Sequence, residues 1–480
     1  MANILATLGS TAGALDAIDQ VLQITQNNVA NASTPGYAKQ SLDLEALPFD
    51  LSTGASGGVR AGQIQSSRDQ YAEQAVRSQN TLLGNARQNV SSLTSLQSLF
   101  DISGQSGIPY ALNNLLQSFS AWAQSPSDTA ARQTVLEQAG SLATAFQQTA
   151  AGLAGAEQQT GQQLSTTVGQ INRLTTQLQG DNVKILQGAH NDPAVDADVN
   201  STLEQLSQYG SITAFEQSNG SWTVLLNGQT PLLVGSQQYQ ISYQLAGSAN
   251  PVYAGHAAAQ ITAADGTDIT AETTGGQLGA LLNIRNTVIP SYLGDASQPG
   301  DLNTMAKHFA DRVNQLLTPV DNSSGAPVST GVPIFTYDAT NDTNVAQTLA
   351  VDPAVTPDQL TAADPGPPPV SNGVPLALSA LSDGTGSDDQ IDGASYSQFF
   401  GSMASQIGSA LNNASNQQTV QQSAVAQAQN LRQQTSGVSL DEEATILVQF
   451  QRAYDANSRL ISVLDQITLD AINILQPGTA

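Results

Sequence analysis

The chain has 480 residues and a formal net charge of −25, 40% of its residues are hydrophobic, and it contains no cysteine. Because a domain usually holds roughly 100 to 200 residues, this length predicts two to four domains with buried cores. The lack of cysteine excludes disulfides, catalytic thiolates and zinc–thiolate sites. The acidic excess, which is concentrated between residues 181 and 400, argues against nucleic acid and anionic lipid as partners.

The first predicted element is a long N-terminal helix with a heptad seam. Apolar residues and threonines alternate by four and three, which is the pattern of a helix that packs along another helix. The seam positions are Ile4, Leu8, Thr11, Leu15, Ile18, Leu22, Thr25 and Val29. Pattern alone leaves open an ordinary amphipathic helix that packs on its own domain. We expect the helix to end before Pro35-Gly36, which suits a type II turn, and a short strand to follow from Gln40 to Ala46.

The central segments predict a mainly α protein with an inserted β-rich domain, an α+β multidomain fold. Long helices rich in Gln, Ser, Ala and Leu are expected between about 68 and 190. Aromatic and β-branched runs separated by Asn-Gly, as at 221–228, predict hairpins from about 195 to 270. Helix is expected again near 277–317 and 395–434, on either side of an irregular segment rich in Pro, Gly and Asp at 318–392.

The last predicted element is a second long helix, which starts at a capping box formed by Ser439 and Glu442. Its seam again alternates by four and three, through Ile446, Phe450, Ala453, Asn457, Leu460, Leu464, Ile467, Ala471 and Ile474. Four further residues widen the apolar stripe on one side: Leu447, Tyr454, Ile461 and Leu475. The stripe is therefore wide enough for two neighbouring helices. Asn457 is a polar residue within the seam, and such a residue can fix the register of a helix pair.

These elements predict seven segments. A terminal domain that resembles a coiled coil is expected from 1–50 paired with 437–480. A helical bundle is expected from 51–194, 275–317 and 395–436, with a β-rich outer domain inserted at 195–274 and an irregular segment at 318–394.

No set of residues predicts catalysis, a cofactor or a metal site. The three histidines, His190, His256 and His308, are far apart in sequence and lack partners at zinc-ligand spacing. No nucleophile elbow, P-loop or dinucleotide fingerprint occurs. The acidic run 388–393 offers oxygens that calcium prefers, but a solvated loop explains it as well. We therefore predict a protein that is not an enzyme.

Both ends of the chain carry a distinctive sequence motif. The N-terminal segment 27–37 reads Asn-Asn-Val-Ala-Asn-Ala-Ser-Thr-Pro-Gly-Tyr, and segments 436–443 and 450–458 form a second motif at the other end. The two motifs resemble the N-terminal and C-terminal signatures of the flagellar axial family of rod, hook and hook-associated proteins. The motif positions are Asn28, Ala30, Asn31, Thr34, Pro35, Gly36 and Tyr37. Segments 132–139 and 275–282 resemble the hook-associated branch, which forms the junction between hook and filament.

This resemblance implies a structural subunit of the bacterial flagellum, outside the cell, that serves in motility. Expected partners are a ring of like subunits, the flagellar hook protein and the second hook-associated junction protein. The start of the chain lacks the pattern of a cleaved signal peptide, and the resemblance implies passage through the flagellar type III export apparatus with a dedicated chaperone.

We expect 1–34 and 439–475 to form an antiparallel or crossed helix pair that lines the inner tube and stays poorly ordered until neighbours cover it. The β domain would lie outermost. The predicted assembly-interface residues are Ile4, Leu8, Leu15, Ile18, Leu22, Val29, Leu447, Phe450, Tyr454, Asn457, Leu460, Ile461, Leu464, Ile467 and Ile474. Alternatives are another hook or rod subunit, an adhesive role of the β domain, and a secreted enzyme that uses flagellar ends for export.

Overall fold

The computed structural model describes residues 2–50, 55–101, 105–247, 256–318, 331–366 and 368–475. The helices are α1 Ala2–Asn31, α2 Gln70–Gln97, α3 Gly107–Gln124, α4 Thr129–Lys184, α5 Pro193–Tyr209, α6 Gly276–Asn283, α7 Ile289–Leu293, α8 Asp301–Leu317, α9 Val345–Thr348, α10 Gly373–Ala380, α11 Tyr396–Ser436 and α12 Leu440–Leu475. The strands are β1 Gln40–Asp50, β2 Ala55–Ser66, β3 Ile212–Glu216, β4 Trp222–Leu226, β5 Thr230–Val234, β6 Gln237–Gln238, β7 Ser242–Leu245, β8 Ala259–Thr262, β9 Phe335–Thr336 and β10 Ala350–Val351.

Long helices dominate the molecule, and small antiparallel sheets are attached to them, which confirms the predicted fold class. The longest helix, α4, has 56 residues and is therefore about 84 Å long at 1.5 Å per residue. Across the described ranges, every helix is too short or too polar to cross a lipid bilayer.

The helix α4 passes through two separate hydrophobic cores. The first half of α4 packs with α3, α8 and α11 around large buried side chains such as Trp122, Phe146 and Phe309. The second half packs with α5, α6 and the β strands around Leu203 and Val224. Because both cores share one continuous helix, α4 joins the bundle to the β-rich part.

The β-rich part is a four-stranded antiparallel sheet, ordered β3-β4-β5-β6, beside the two-stranded sheet β7-β8. Asn227 and Gly228 lie in the turn between β4 and β5, and both have positive φ values, 54° and 74°. Asn and Gly tolerate this left-handed backbone better than other residues, which is why Asn-Gly marks hairpins.

The segment predicted to form hairpins from about residue 195 begins with a helix instead, because residues 193–209 form α5. The Asp192 side chain accepts a hydrogen bond from Ala194 N at 2.9 Å, and Pro193 occupies the first helical position. Both are helix-start signals. Val195, Val199 and Leu203 then recur every four residues and are buried. The strand-like runs that follow led to a prediction of hairpins for this segment, although its apolar spacing is helical.

The predicted domain boundary between residues 50 and 51 falls inside a hairpin. Strands β1 and β2 pair antiparallel from Gln40 opposite Ser66 to Asp50 opposite Ala55. The strand β2 was not predicted because its sequence is rich in Gly and Ala, which are depleted in strands. This hairpin packs along α1.

The segment 318–394 is less irregular than predicted. Residues 319–330 and residue 367 lie outside the described residues, but the remainder forms short elements that complete the first core. Ile334, Val345, Leu349 and Leu378 are each 0% exposed. Sparse apolar residues within a Pro-rich and Gly-rich segment are therefore enough to bind it to the bundle.

Candidate assembly interface at the chain ends

The two terminal helices, α1 and α12, pack against each other. The last turn of α1 lies beside the first turn of α12, where Asn28 hydrogen bonds to Glu443. Because α1 ends where α12 begins and the two helices pack along their lengths, they run in opposite directions, and the pair is antiparallel. Helix α1 is therefore held between α12 on one side and the β1-β2 hairpin on another.

Only part of the predicted seam of α1 is buried. Of its large apolar residues, Ile18 is buried, while Leu8, Leu15 and Leu22 are half-buried and Val29 is 44% exposed. The side chain of Ile4 lies outside the described residues. The buried stripe is rotated slightly from the predicted one and consists of Thr11, Ala17, Ile18, Val21, Thr25 and Asn28. The chain's own hairpin and α12 thus cover one side of the seam and leave the other side open.

Helix α12 leaves most of its apolar surface open to solvent. Five predicted residues are half-buried: Leu447, Phe450, Asn457, Ile461 and Leu464. Tyr454, Leu460 and Ile467 are 40%, 45% and 46% exposed, and the side chain of Ile474 lies outside the described residues. Five exposed large apolar residues of this helix were not predicted: Leu440, Val448, Val463, Leu469 and Ile472. Glu443 is the most buried described side chain of this helix.

Asn457 does not pin the helix pair through the hydrogen bond that it makes here. Its Nδ2 donates to Ala453 O at 3.0 Å, one turn back in the same helix. Asn28 makes the contacts that were expected of a register residue.

Asn28 joins four parts of the chain. Its Nδ2 donates to Gln40 O at 2.8 Å and to Glu443 Oε2 at 3.1 Å. Its Oδ1 accepts from Tyr37 Oη at 2.9 Å and from Gln40 N at 3.0 Å. An asparagine amide has two donors and two acceptor positions, so this buried side chain is fully hydrogen-bonded. We call Asn28, Tyr37, Lys39 and Glu443 the terminal clasp.

The negative charge of the clasp is balanced by Lys39. Its Nζ lies 2.9 Å from Glu442 Oε1 and 3.4 Å from Glu443 Oε1. Burial alone would lower the pKa of Lys39, but its hydrogen bonds to the two glutamates and their charges outweigh burial and raise this pKa. Burial, together with the charge of Glu443, raises the pKa of the Tyr37 hydroxyl. The lysine is therefore held cationic and the tyrosine neutral.

The turn after α1 fastens the clasp to the bundle. Gly36 has a φ of +77°, and a Cβ there would overlap the backbone of α5. Arg68 Nη2 donates to Gly36 O at 2.6 Å, and the same guanidinium pairs with Glu73 and Asp196. Only glycine combines this left-handed backbone with so close an approach.

A second arginine ties the start of α12 to the same place. Arg432, near the end of α11, pairs with Glu73 at 3.2 Å and with Glu204 at 2.6 Å. Four residues later, Ser436 O accepts a hydrogen bond from Lys39 N at 2.9 Å, and its Oγ accepts one from Asp69 N. The two chain ends therefore leave the bundle from one ion-paired site.

An apolar groove opens between the two helices next to the clasp. It has a volume of about 460 Å³, and it is lined by Val29 and Ala30 of α1 and by Leu440, Ala444 and Leu447 of α12. This arrangement can accept apolar side chains from a neighbour.

Two of the histidines and one residue of the acidic run, whose side chains are of types that can bind metals, contact other side chains instead. His256 Nδ1 lies 2.6 Å from Glu157 Oε2, and His308 Nδ1 lies 2.9 Å from Tyr396 Oη. Asp389, in the acidic run, pairs with Arg312 at 2.7 Å. Within the described ranges, no three His, Asp or Glu side chains are arranged to hold a metal ion.

Sequence reasoning identified Asn28, Gly36 and Tyr37 only as motif positions and missed Lys39, Arg68, Arg432 and Glu443. Lys39 and Glu443 adjoin or lie within the two terminal signatures, which was the available signal. Their pairing could not be read from local pattern, because Asn28 and Glu443 are 415 residues apart.

Comparisons with known proteins find two family models that match parts of the chain. Residues 93–331 match the model of the flagellar hook-associated protein FlgK helical domain, and residues 430–474 match that of the flagellar basal body rod FlgEFG protein C-terminal region. These two matches define an axial protein of the bacterial flagellum.

The full-length comparisons narrow this class. The chain is 24% identical to flagellar hook-associated protein 1 of Bacillus subtilis (strain 168), over 97% of both chains. Its fold is similar to the flagellar hook junction protein FlgK from Burkholderia pseudomallei, with a TM-score of 0.61 and 16% identity over 75% of this chain and 99% of the other. The chain belongs to the flagellar hook-associated protein FlgK family, which confirms the resemblance found in its motifs.

Proposed function

We propose that this chain is a structural subunit of the bacterial flagellum at the junction between hook and filament, and that it assembles with copies of itself through α1 and α12. The observation that carries this proposal is the uncovered apolar surface of α12, together with membership of the FlgK family. A monomer that exposes several large apolar residues along one helix exposes an interaction surface.

The energetics favour assembly through this surface. Fully burying one Leu, Ile or Val side chain contributes about 1.5 to 3 kcal/mol. Leu460, Val463 and Ile467 are 45%, 55% and 46% exposed, so about half of that contribution is still available to a neighbour. Association costs translational and rotational freedom, and a few such residues at a single contact do not offset this cost. In a closed ring each subunit contacts two neighbours at once, so a ring is favoured.

The remaining partners follow from the same proposal. The hook protein would lie on one side of the ring and the second hook-associated junction protein on the other. A chaperone would cover the exposed stripe of α12 before export through the flagellar apparatus, because this stripe would otherwise associate in the cytosol. The role is structural rather than catalytic.

Deletion and complementation test the proposal. Cells that lack this chain should make hooks but release flagellin into the medium, and the full chain should restore filaments and swimming. A variant without residues 1–34 should be expressed but should not restore them. Normal filaments in the deletion strain would contradict the junction role.

A matched control separates assembly from folding. The truncated variant should keep the two hydrophobic cores, because the buried residues of both cores lie between Leu93 and Ala414. Circular dichroism should therefore show cooperative thermal unfolding of the truncated protein, with a helical signal reduced by about the contribution of the removed helix.

A further inference from the structure

The apolar contacts between α1 and α12 do not by themselves define one register. On α1 the buried stripe repeats Thr11, Ile18 and Thr25 at intervals of seven residues. On α12 the half-buried residues Phe450, Asn457 and Leu464 repeat at the same interval. A shift by one heptad would keep both stripes facing each other, which is the known ambiguity of helix pairs with repeating seams.

The terminal clasp removes this ambiguity. Asn28 is 1% exposed, and three of its four hydrogen bonds, to Tyr37 and Gln40, fix its side chain within the N-terminal segment. The fourth, to Glu443, requires one position of α12 relative to α1. A heptad shift would move Glu443 about 10 Å along the helix axis. It would leave a buried amide donor and a buried carboxylate without partners, and each unmatched group is costly.

The clasp also makes each end depend on the other. Glu443 is 1% exposed, and the groups that balance it, Asn28 and Lys39, both belong to the N-terminal segment. Without α1 the first turn of α12 would bury an unmatched charge. Without α12, one donor of the buried Asn28 amide would have no acceptor.

We propose that Asn28 and Glu443 form a register pin that couples the two chain ends in the isolated subunit. The pin sets one axial position for α12 on α1 and orders the adjoining turns of both helices before any neighbour binds. The distal parts of the helices, which lack such contacts, are then ordered by assembly. This inference concerns the monomer and does not depend on where the subunit lies in the flagellum.

Hydrogen exchange of the full chain, read by mass spectrometry, tests the coupling. In the wild-type protein the amides of 25–31, of Gln40 and of 443–447 should be protected, because each lies in a helix or donates a hydrogen bond at the clasp. Either Asn28→Leu or Glu443→Met should accelerate exchange about tenfold or more in both helices, because each change leaves the other group unmatched. Unfolded exchange rates at these amides in the wild-type protein would overturn the proposal.

Matched variants control for local effects. Asn27→Leu changes the neighbouring exposed asparagine, and Glu442→Gln changes the glutamate that is 58% exposed and pairs with the same lysine. Both controls should change exchange less than about threefold. An effect of Asn28→Leu confined to α1, with α12 unchanged, would refute the coupling.

A cross-linking experiment tests register separately from stability. The chain has no cysteine, so pairs can be introduced at Val29 and Leu447, which line the same groove, or at Val29 and Tyr454, one heptad further along. With a short thiol cross-linker, only the first pair should react in the wild-type background. In the Asn28→Leu/Glu443→Met double variant, which has an apolar pair in place of the polar one, both pairs should react. Reaction of the first pair alone in both backgrounds would refute the register role.

Discussion

Replacing Leu460, Val463 and Ile467 together by glutamine should abolish assembly while leaving the folded monomer intact. These residues recur at intervals of three and four on α12, and they are 45%, 55% and 46% exposed. Glutamine favours helix about as well as leucine and better than valine, so the helix itself should persist.

The expected loss follows from the surface that remains to be buried. Full burial of each side chain contributes about 1.5 to 3 kcal/mol. About half of each side chain is still exposed in the monomer, so about half of this contribution remains to be gained at the interface. The triple variant therefore forfeits about 2 to 4 kcal/mol per subunit at the interface, which corresponds to a weakening of about 30- to 1,000-fold. A closed ring loses this contribution at every subunit.

The assay combines swimming, filament retention and thermal unfolding of the purified monomer. We expect non-swimming cells that release flagellin, with a melting temperature close to that of the wild-type protein. The control is Val420→Gln with Leu431→Gln on α11, because these side chains are 61% and 51% exposed but lie outside the terminal helices. Normal filaments in the triple variant, or a monomer that is strongly destabilised, would refute the reasoning.

Three further predictions concern stability. Gly36→Ala should destabilise the protein by at least about 2 kcal/mol in urea unfolding, because φ is +77° and α5 leaves no room for a Cβ; Gly140→Ala, where a Cβ meets nothing, should stabilise it slightly. Arg285→Met should cost about 3 to 5 kcal/mol by leaving the buried Glu157 carboxylate without its guanidinium partner, and adding Glu157→Leu should recover most of this loss. Burial raises the pKa of Tyr292 from 10.0 to about 12. The contribution of this residue to the free energy of unfolding is therefore complete below pH 10 and should fall by about 2 to 3 kcal/mol as the pH rises toward 12. Alkaline unfolding curves of Tyr292→Phe should lack this loss.

The sequence was most informative where one local signal was strong. The heptads of α1 and α12, the Pro35-Gly36 stop and the Asn227-Gly228 hairpin each combine a periodic pattern with a residue of special backbone preference. Helix α5 was missed although its start signals were present, because neighbouring strand-like runs dominated the interpretation. Strand β2 could not be predicted from its own residues, because pairing with β1 and packing on α1 stabilise it.

The clasp marks a different limit. Periodicity shows that a helix face must be covered, but it does not show which element covers it, and Asn28 finds its acceptor 415 residues away. On α1, the chain's own hairpin and α12 cover the side that contains Thr11 and Ile18 and leave Val29 exposed. At the clasp, the polar groups of the terminal helices are hydrogen-bonded within the chain. Along the rest of these helices, many apolar side chains remain exposed. A subunit with this division can enter an assembly in one defined register, because the polar contacts fix the geometry that the apolar surface then extends to its neighbours.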